Sequence, residues 1–148
     1  MFCIHKNTKS ACEMGWIEFS GHCYFYNQSR SKWDDAKADC DMKTSYLIEI
    51  GDQDENDWIK EKFLPAGGSL WSGGRDDVTE GVFLWQQFQT AMSFTNWVPG
   101  EPNNGVNAQC LQIRNHGKWS DAYCTDKYSF LCEKFSEETY LLRLGQEG

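Results

Sequence analysis

The chain has 148 residues, a formal net charge of −8, a pI near 4.8, 40% hydrophobic and 15% aromatic residues. That length builds one hydrophobic core rather than two, and so many aromatics exclude a disordered chain. An acidic chain with no Lys/Arg cluster repels phosphate backbones, which argues against nucleic acid. No apolar run approaches the ~18 residues needed to cross a bilayer.

Residues 1–11 carry no apolar core of a signal peptide, so Met1 reads as an added start on a mature segment, and this segment holds Cys3. The chain has seven cysteines, no C-x-x-C pair and scattered histidines (His5, His22, His116). That pattern predicts a disulfide framework in an oxidising compartment and not a zinc site. The glycosylation triplet Asn27-Gln28-Ser29 agrees with secretion.

In chain order, Trp16 to Tyr26 reads as a strand pair around a Ser20-Gly21 turn, whose ends Cys12 and Cys23 would staple. A helix follows with Ser31 as its cap, and Trp33, Ala36 and Cys40 fall on one face. Leu47, Ile48 and Ile50 form a short apolar strand. A second helix starts at Asp52 with Glu55 in the capping-box position and Trp58, Ile59 and Phe63 as its buried stripe. The acidic run from Asp52 to Asp57 is expected to be a solvated helix start.

Beyond Leu70 the helical period ends. Leu70-Trp71 leads into a Gly73-Gly74 turn, an acidic loop holds Asp76, Asp77 and Glu80, and Val82 to Trp85 reads as a strand. Cys110 to Ile113 and Tyr128 to Cys132 are further strands, with a Trp119-Ser120-Asp121 turn between them. In the tail, residues 134–148, an apolar patch at Tyr140-Leu141-Leu142 interrupts polar sequence and then fades. Strands, two helices, then strands and loops give an α+β class.

The stretch from Asn96 to Cys124 is polar, amide-rich and bracketed late by two cysteines. It is expected to lie outside the core and to carry the chemistry.

These features together resemble the C-type lectin-like family across residues 12–133. They are the two-cysteine entry, the Trp33-to-Cys40 helix, Leu70-Trp71-Ser72-Gly73-Gly74, and Glu80-Gly81 ahead of Trp85. Glu101-Pro102-Asn103, Trp119-Ser120-Asp121 and the final Phe130-Leu131-Cys132-Glu133 complete the set. The resemblance implies two helices with two small antiparallel sheets and a long loop. It pairs Cys40 with Cys132, Cys110 with Cys124 and Cys12 with Cys23. Cys3 is left over, as an interchain link in a homodimer or heterodimer.

In sugar-binding members of that family a Ca²⁺ in the long loop binds terminal sugar hydroxyls. Carried over, its ligands are Glu101, Asn103 and Asp121, and the Glu101-Pro102 bond is cis. Ala108 and Ser120 stand where two further ligands belong, which lowers calcium affinity. An auxiliary calcium position would use Asp76, Glu80 and Asn104, with Gln109 where an Asp is usual.

The sequence thus predicts a secreted lectin for mannose-, GlcNAc- or GalNAc-type sugars, with weak calcium dependence or none. Glu101, Asn103, Gln109, Ser120, Asp121 and Tyr123 would form the sugar pocket. By analogy such lectins serve innate recognition of microbes. The competing reading is a domain of the same fold whose loop binds a protein or mineral surface. Trp71, Trp85, Trp97 and Trp119 are expected to pack at the loop base, and His116 to lie on the surface. Glu101 and Asp121 imitate a glycosidase pair, but no desolvated acid partner accompanies them, so an enzyme is not expected.

Overall fold

The computed structural model describes residues 12–64, 68–103 and 105–147. The predicted Cys3 link and the auxiliary ligand Asn104 lie outside the described residues.

Strands β1 (Ile17–Phe19) and β2 (His22–Ser31) form the expected hairpin. Its two turn residues, Ser20 and Gly21, have φ of 50° and 84°. Two left-handed residues in a row match the twist of a tight antiparallel pair. Helix α1 (Trp33–Met42) buries Trp33, Ala36 and Cys40 as predicted. Its cap, however, is Lys32 without a side-chain bond, and not Ser31. Ser31 is still in β2, paired with Tyr128. Tertiary partners replace the cap, since Trp33 N–H donates to the Cys124 carbonyl at 3.0 Å and the Trp33 indole to that of Ser72 at 2.8 Å.

Strand β3 is shorter than expected, Tyr46–Leu47 only. Ile48 and Ile50 are fully buried beyond its end. Helix α2 (Gln53–Phe63) begins where predicted, and Asp52 accepts from Glu55 N–H at 2.8 Å. Glu55 reaches back one residue further than a standard capping box, to Gly51 N–H at 2.9 Å. Ile59 and Phe63 are buried and Trp58 half-buried, and Asn56 joins the buried face unpredicted.

Strand β4 (Leu70–Thr79) runs straight through the expected Gly73-Gly74 turn. A Cβ on Gly73 would stand 3.0 Å from the Leu47 carbonyl oxygen, and one on Gly74 would stand 2.9 Å from Leu111 Cβ. Close neighbours, rather than a chain reversal, require the two glycines. Then come β5 (Val82–Trp85), β6 (Thr90–Ala91), a 3-10 turn (Gly105–Asn107), β7 (Cys110–Ile113), β8 (Trp119–Ala122) and β9 (Tyr128–Phe135). The predicted Trp119-Ser120-Asp121 turn is therefore strand β8, paired along its length with β7.

The tail does not fade after Leu142: α3 (Glu137–Glu147) is an eleven-residue helix. Glu, Leu, Arg and Gln are good helix formers, and Ser136 Oγ accepts from Thr139 N–H at 3.2 Å at its start. No helix among the described residues is long and apolar enough to cross a membrane.

The strand order is β1-β2-β9-β4-β5-β6, with β3 on β9, β7 on β4, and β8 on β7. The two expected antiparallel sheets are its two halves. They meet where β4 and β9 run parallel through Leu70↔Ser129 and Trp71↔Phe130. All three implied disulfides are present: Cys12–Cys23, Cys40–Cys132 and Cys110–Cys124. Cys40–Cys132 spans 92 residues, a loop whose closure is worth roughly 4–5 kcal/mol in the chain-entropy model.

Candidate functional site

The polar stretch from Asn96 to Cys124 divides in two. Its second half is core, since Ala108, Cys110, Leu111, Ile113 and Trp119 have no exposed surface. The expectation that the whole stretch lies outside the core fails there, because its apolar residues sit on paired strands. Only the first half is a surface loop, and backbone bonds pin it to β8. Trp119 N–H donates to the Asn96 carbonyl at 2.9 Å, Val98 N–H to that of Trp119 at 2.8 Å, and Glu101 N–H to that of Val98 at 2.9 Å.

Beneath the pinned loop, Trp119 packs its ring edge to face with Trp85, Phe94 and Trp97, at centroid distances of 5.7, 5.7 and 5.9 Å. Its indole N–H donates to Asn56 Oδ1 at 2.8 Å, and Asn56 Nδ2 donates to the Gly117 carbonyl at 3.0 Å. Helix α2 thus holds the loop base through one buried amide. Trp85 and Trp119 are buried and Trp97 half-buried at the loop base, as expected, while the buried Trp71 packs elsewhere, against Tyr128 at 4.8 Å. His116 accepts from Lys118 N–H in an exposed turn.

On this base the Glu101-Pro102 peptide is cis, as the family pattern implies. Glu101 is half-buried and Asn103 exposed, while Asp121 on β8 is 4% exposed. Asn103 N–H donates to Asp121 Oδ1 at 3.4 Å. Burial first, and then the hydrogen bond and charge of Asp121, push the Glu101 carboxyl above the usual carboxylate range. Backbone N–H groups of Asn103 and Asp121 oppose that shift. Glu101 Oε1 is buried and has no hydrogen-bond partner. Two carboxyl groups facing each other repel until a proton, a cation or hydroxyl donors reach them.

The acidic turn completes this field. Asp76 is 3% exposed. Its Oδ2 accepts from Gly81 N–H at 3.0 Å, and its Oδ1 is buried without a partner. The exposed Glu80 carboxyl is pushed up by desolvation and by the charges of Asp76 and Asp121. Asp77 turns away to pair with Arg75 at 3.3 Å. The Gln109 carbonyl accepts from Asp76 N–H at 3.2 Å, which ties its segment to the same turn.

Of the remaining candidates, Ser120 is buried at 3% exposure. It neighbours Asp121 on one strand, so the two side chains leave on opposite faces. Tyr123 is 50% exposed, and its backbone carbonyl accepts from Asp126 N–H at 2.9 Å. Ala108, at a ligand position of the family, is buried and offers no side-chain oxygen.

The unpartnered oxygens of Glu101 and Asp76 suit a cation, but Ca²⁺ takes six to eight oxygens. Among the described residues no three His, Cys, Asp or Glu side chains converge as a metal site.

Sequence reasoning missed a second polar centre, under β2 and β9. Glu133 has no exposed surface. One of its oxygens meets His22 Nδ1 at 2.5 Å and the other accepts from Glu49 N–H at 2.6 Å. Tyr24 O–H donates to Glu55 at 2.5 Å, so Glu55 is not the solvated helix-start residue expected. Burial, followed by the Glu133 charge, pushes Glu49 and Glu55 up to about 7. His22 is raised as well: desolvation lowers it, but its contact with Glu133 and the surrounding carboxylates outweigh that. His22, Glu49, Glu55 and Glu133 line a cavity of 300 Å³ with Tyr46. The only sequence signal was the Glu after Cys132, and nothing near it pointed to His22.

Comparison with known proteins places the chain. The family model for the lectin C-type domain matches residues 29–134. The hepatic lectin of Gallus gallus is 37% identical over 121 residues, which cover 80% of this chain and 58% of that protein. The chain thus spans less than two thirds of that relative's length. Among solved structures, the carbohydrate-recognition domain of the mouse scavenger receptor C-type lectin superposes with a TM-score of 0.79 at 30% identity, covering 85% of this chain and 98% of that one. A calcium-independent type II antifreeze protein superposes at 0.78 with 26% identity, covering 84% and 95%. With its fold, its three disulfides and the cis proline of its long loop, the chain belongs to the C-type lectin domain family.

Proposed function

We propose that this domain binds carbohydrate through the first half of its long loop, with weak calcium dependence or none. The single observation that carries this reading is the Glu101–Asp121 carboxyl pair, with Glu101 Oε1 buried and unpartnered. Sugar hydroxyls are neutral donors that relieve such acceptors without adding charge. Vicinal hydroxyls of a mannose- or N-acetylhexosamine-type residue (GlcNAc or GalNAc) would donate to the two carboxylates. The Asn103 amide would read a neighbouring hydroxyl or acetamido group, with Gln109 at the margin, while the buried Ser120 faces away. The Tyr123 ring offers an apolar face to the pyranose. Where Ca²⁺ is present, Glu101, Asn103 and Asp121 would hold it, and Asp76, Glu80 and Asn104 a second ion.

The relatives named as a lectin and a carbohydrate-recognition domain support this reading. Nothing in the pocket requires sugar turnover. We place the protein outside the cell, where Cys3 would join two chains.

The test is glycan retention with calcium and with EDTA. Binding should survive EDTA with little loss, and Glu101→Ala should abolish it in both conditions. Loss of all binding in EDTA would restore an obligatory calcium site. A second reading, a loop that binds a protein or mineral surface, is favoured by the likeness to an antifreeze protein. It becomes the lead if no glycan is retained under either condition.

A further inference from the structure

Directly beside the carboxylate pair lies an apolar groove of 260 Å³. Val82, Phe83 and Leu84 of β5 line it, together with Met92, Trp97 and Pro102. Phe83 and Trp97 meet edge to face at 5.1 Å and stiffen its wall. Among the described lining residues Thr95 brings a hydroxyl and Trp97 an indole N–H, and the other side chains are apolar or absent. The groove therefore offers few groups that could read hydroxyls.

Its two ends touch the site already described. Pro102, one of its walls, stands between Glu101 and Asn103. Gly81, another lining residue, donates its N–H to Asp76 Oδ2. A groove below the ~300–1,000 Å³ of self-sufficient ligand pockets, with few polar side chains to orient an occupant, does not select a ligand alone. As an extension of a polar site it needs neither more volume nor more polar groups.

We propose that the groove receives an apolar substituent carried by the same sugar that Glu101, Asn103 and Asp121 bind, a short acyl or alkyl chain on that ring. This inference rests on the carbohydrate reading and narrows it to amphiphilic glycans. The carboxylates take hydroxyls on one side of Pro102, and Val82, Met92 and Trp97 take methylenes on the other.

The test compares methyl and hexyl glycosides of mannose and of GlcNAc by calorimetry on the whole chain, with calcium and with EDTA. Each fully buried methylene strengthens binding roughly fourfold, so even an open groove should make the hexyl glycoside at least about tenfold tighter. The exposed Ala91, which also lines the groove, supplies the control. Ala91→Phe should fill the space and erase the hexyl advantage while methyl glycoside binding stays unchanged. Val82→Gln, at a site 51% exposed, should reduce the advantage without blocking the sugar. Equal affinity for the two glycosides in the unaltered chain overturns the groove and leaves the carbohydrate reading standing. If neither glycoside binds, both fall together. A hexyl advantage that survives Ala91→Phe places the chain elsewhere and also overturns the proposal.

Discussion

The molecule gathers carboxylates in two places and treats them differently. Under β9, Glu133 is enclosed and both its oxygens are satisfied, by His22 and by Glu49 N–H, while Glu55 takes the Tyr24 hydroxyl. At the long loop, Glu101 and Asp121 face each other, and buried oxygens of Glu101 and Asp76 lack a partner. Buried polar groups are nearly always paired, so the exceptions mark where something is missing. The first cluster leaves one such oxygen, Glu49 Oε2, beside a Glu133 whose partners all come from the fold, and the second leaves two, Glu101 Oε1 and Asp76 Oδ1, around the long loop.

This contrast can be broken most sharply at Glu133. Glu133→Ala leaves His22 facing a buried gap, and removal of one partner of a buried pair costs about 3–5 kcal/mol. Denaturant unfolding should show that loss, and glycan affinity measured below the transition should be unchanged. A loss of binding at full stability would erase the division between frame and site.

Asn56 is next. Asn56→Ala strips the buried Trp119 indole of its acceptor, which should destabilise by about 1–3 kcal/mol. The loop base should loosen with it, read as faster hydrogen exchange at Trp119 and Val98.

The pH dependence follows from Glu49 and Glu55, both pushed up from 4.5 to about 7. The folded chain keeps their protons at pH values where the unfolded chain has released them, so folding takes protons up. Their contribution is complete below about pH 4.5 and is lost as pH rises through about 7. The raised His22 pulls in the same direction. Melting temperatures should therefore decline from mildly acidic to neutral pH, and the double variant Glu49→Gln, Glu55→Gln should flatten that decline. An unchanged slope in the double variant assigns the dependence to other groups.

Smallest in stability, and largest in function, is Glu101→Gln. It removes one of two repelling carboxyls, so unfolding should shift by less than ~1 kcal/mol, in the direction of greater stability. Sugar binding should fall well over tenfold because an acceptor becomes in part a donor.

Local chemistry made much of the frame legible in the sequence. The Ser20-Gly21 reversal, the Trp33/Ala36/Cys40 face and the Asp52 cap are short-range signals, and each appears in the structure. The disulfide pairing came only with the family resemblance, since spacing leaves it open. What failed did so because tertiary contacts overruled local habit. Gly73-Gly74 resembles a turn, but the approach of Leu47 and Leu111 is what excludes side chains there. Ser120-Asp121 looks too polar for a buried strand, yet pairing with β7 satisfies its backbone. Asn56 hides among helix-surface residues until Trp119, far along the chain, needs an acceptor. At the site, Glu101-Pro102-Asn103 was plain to see. The family resemblance also put Asp121 with Glu101; that an apolar groove begins at Pro102 depended on how the chain closes.

The pinning of the loop at Asn96, Val98 and Trp119 has a further consequence. Residues 99–103 follow those fixings as exposed or half-buried loop, ahead of the buried Ala108, so they can be exchanged with the least disturbance to what folds. The domain behaves as a socket with a replaceable fitting. Segments of similar length put in place of residues 99–103 should leave the melting temperature close to that of the parent while redirecting what is bound.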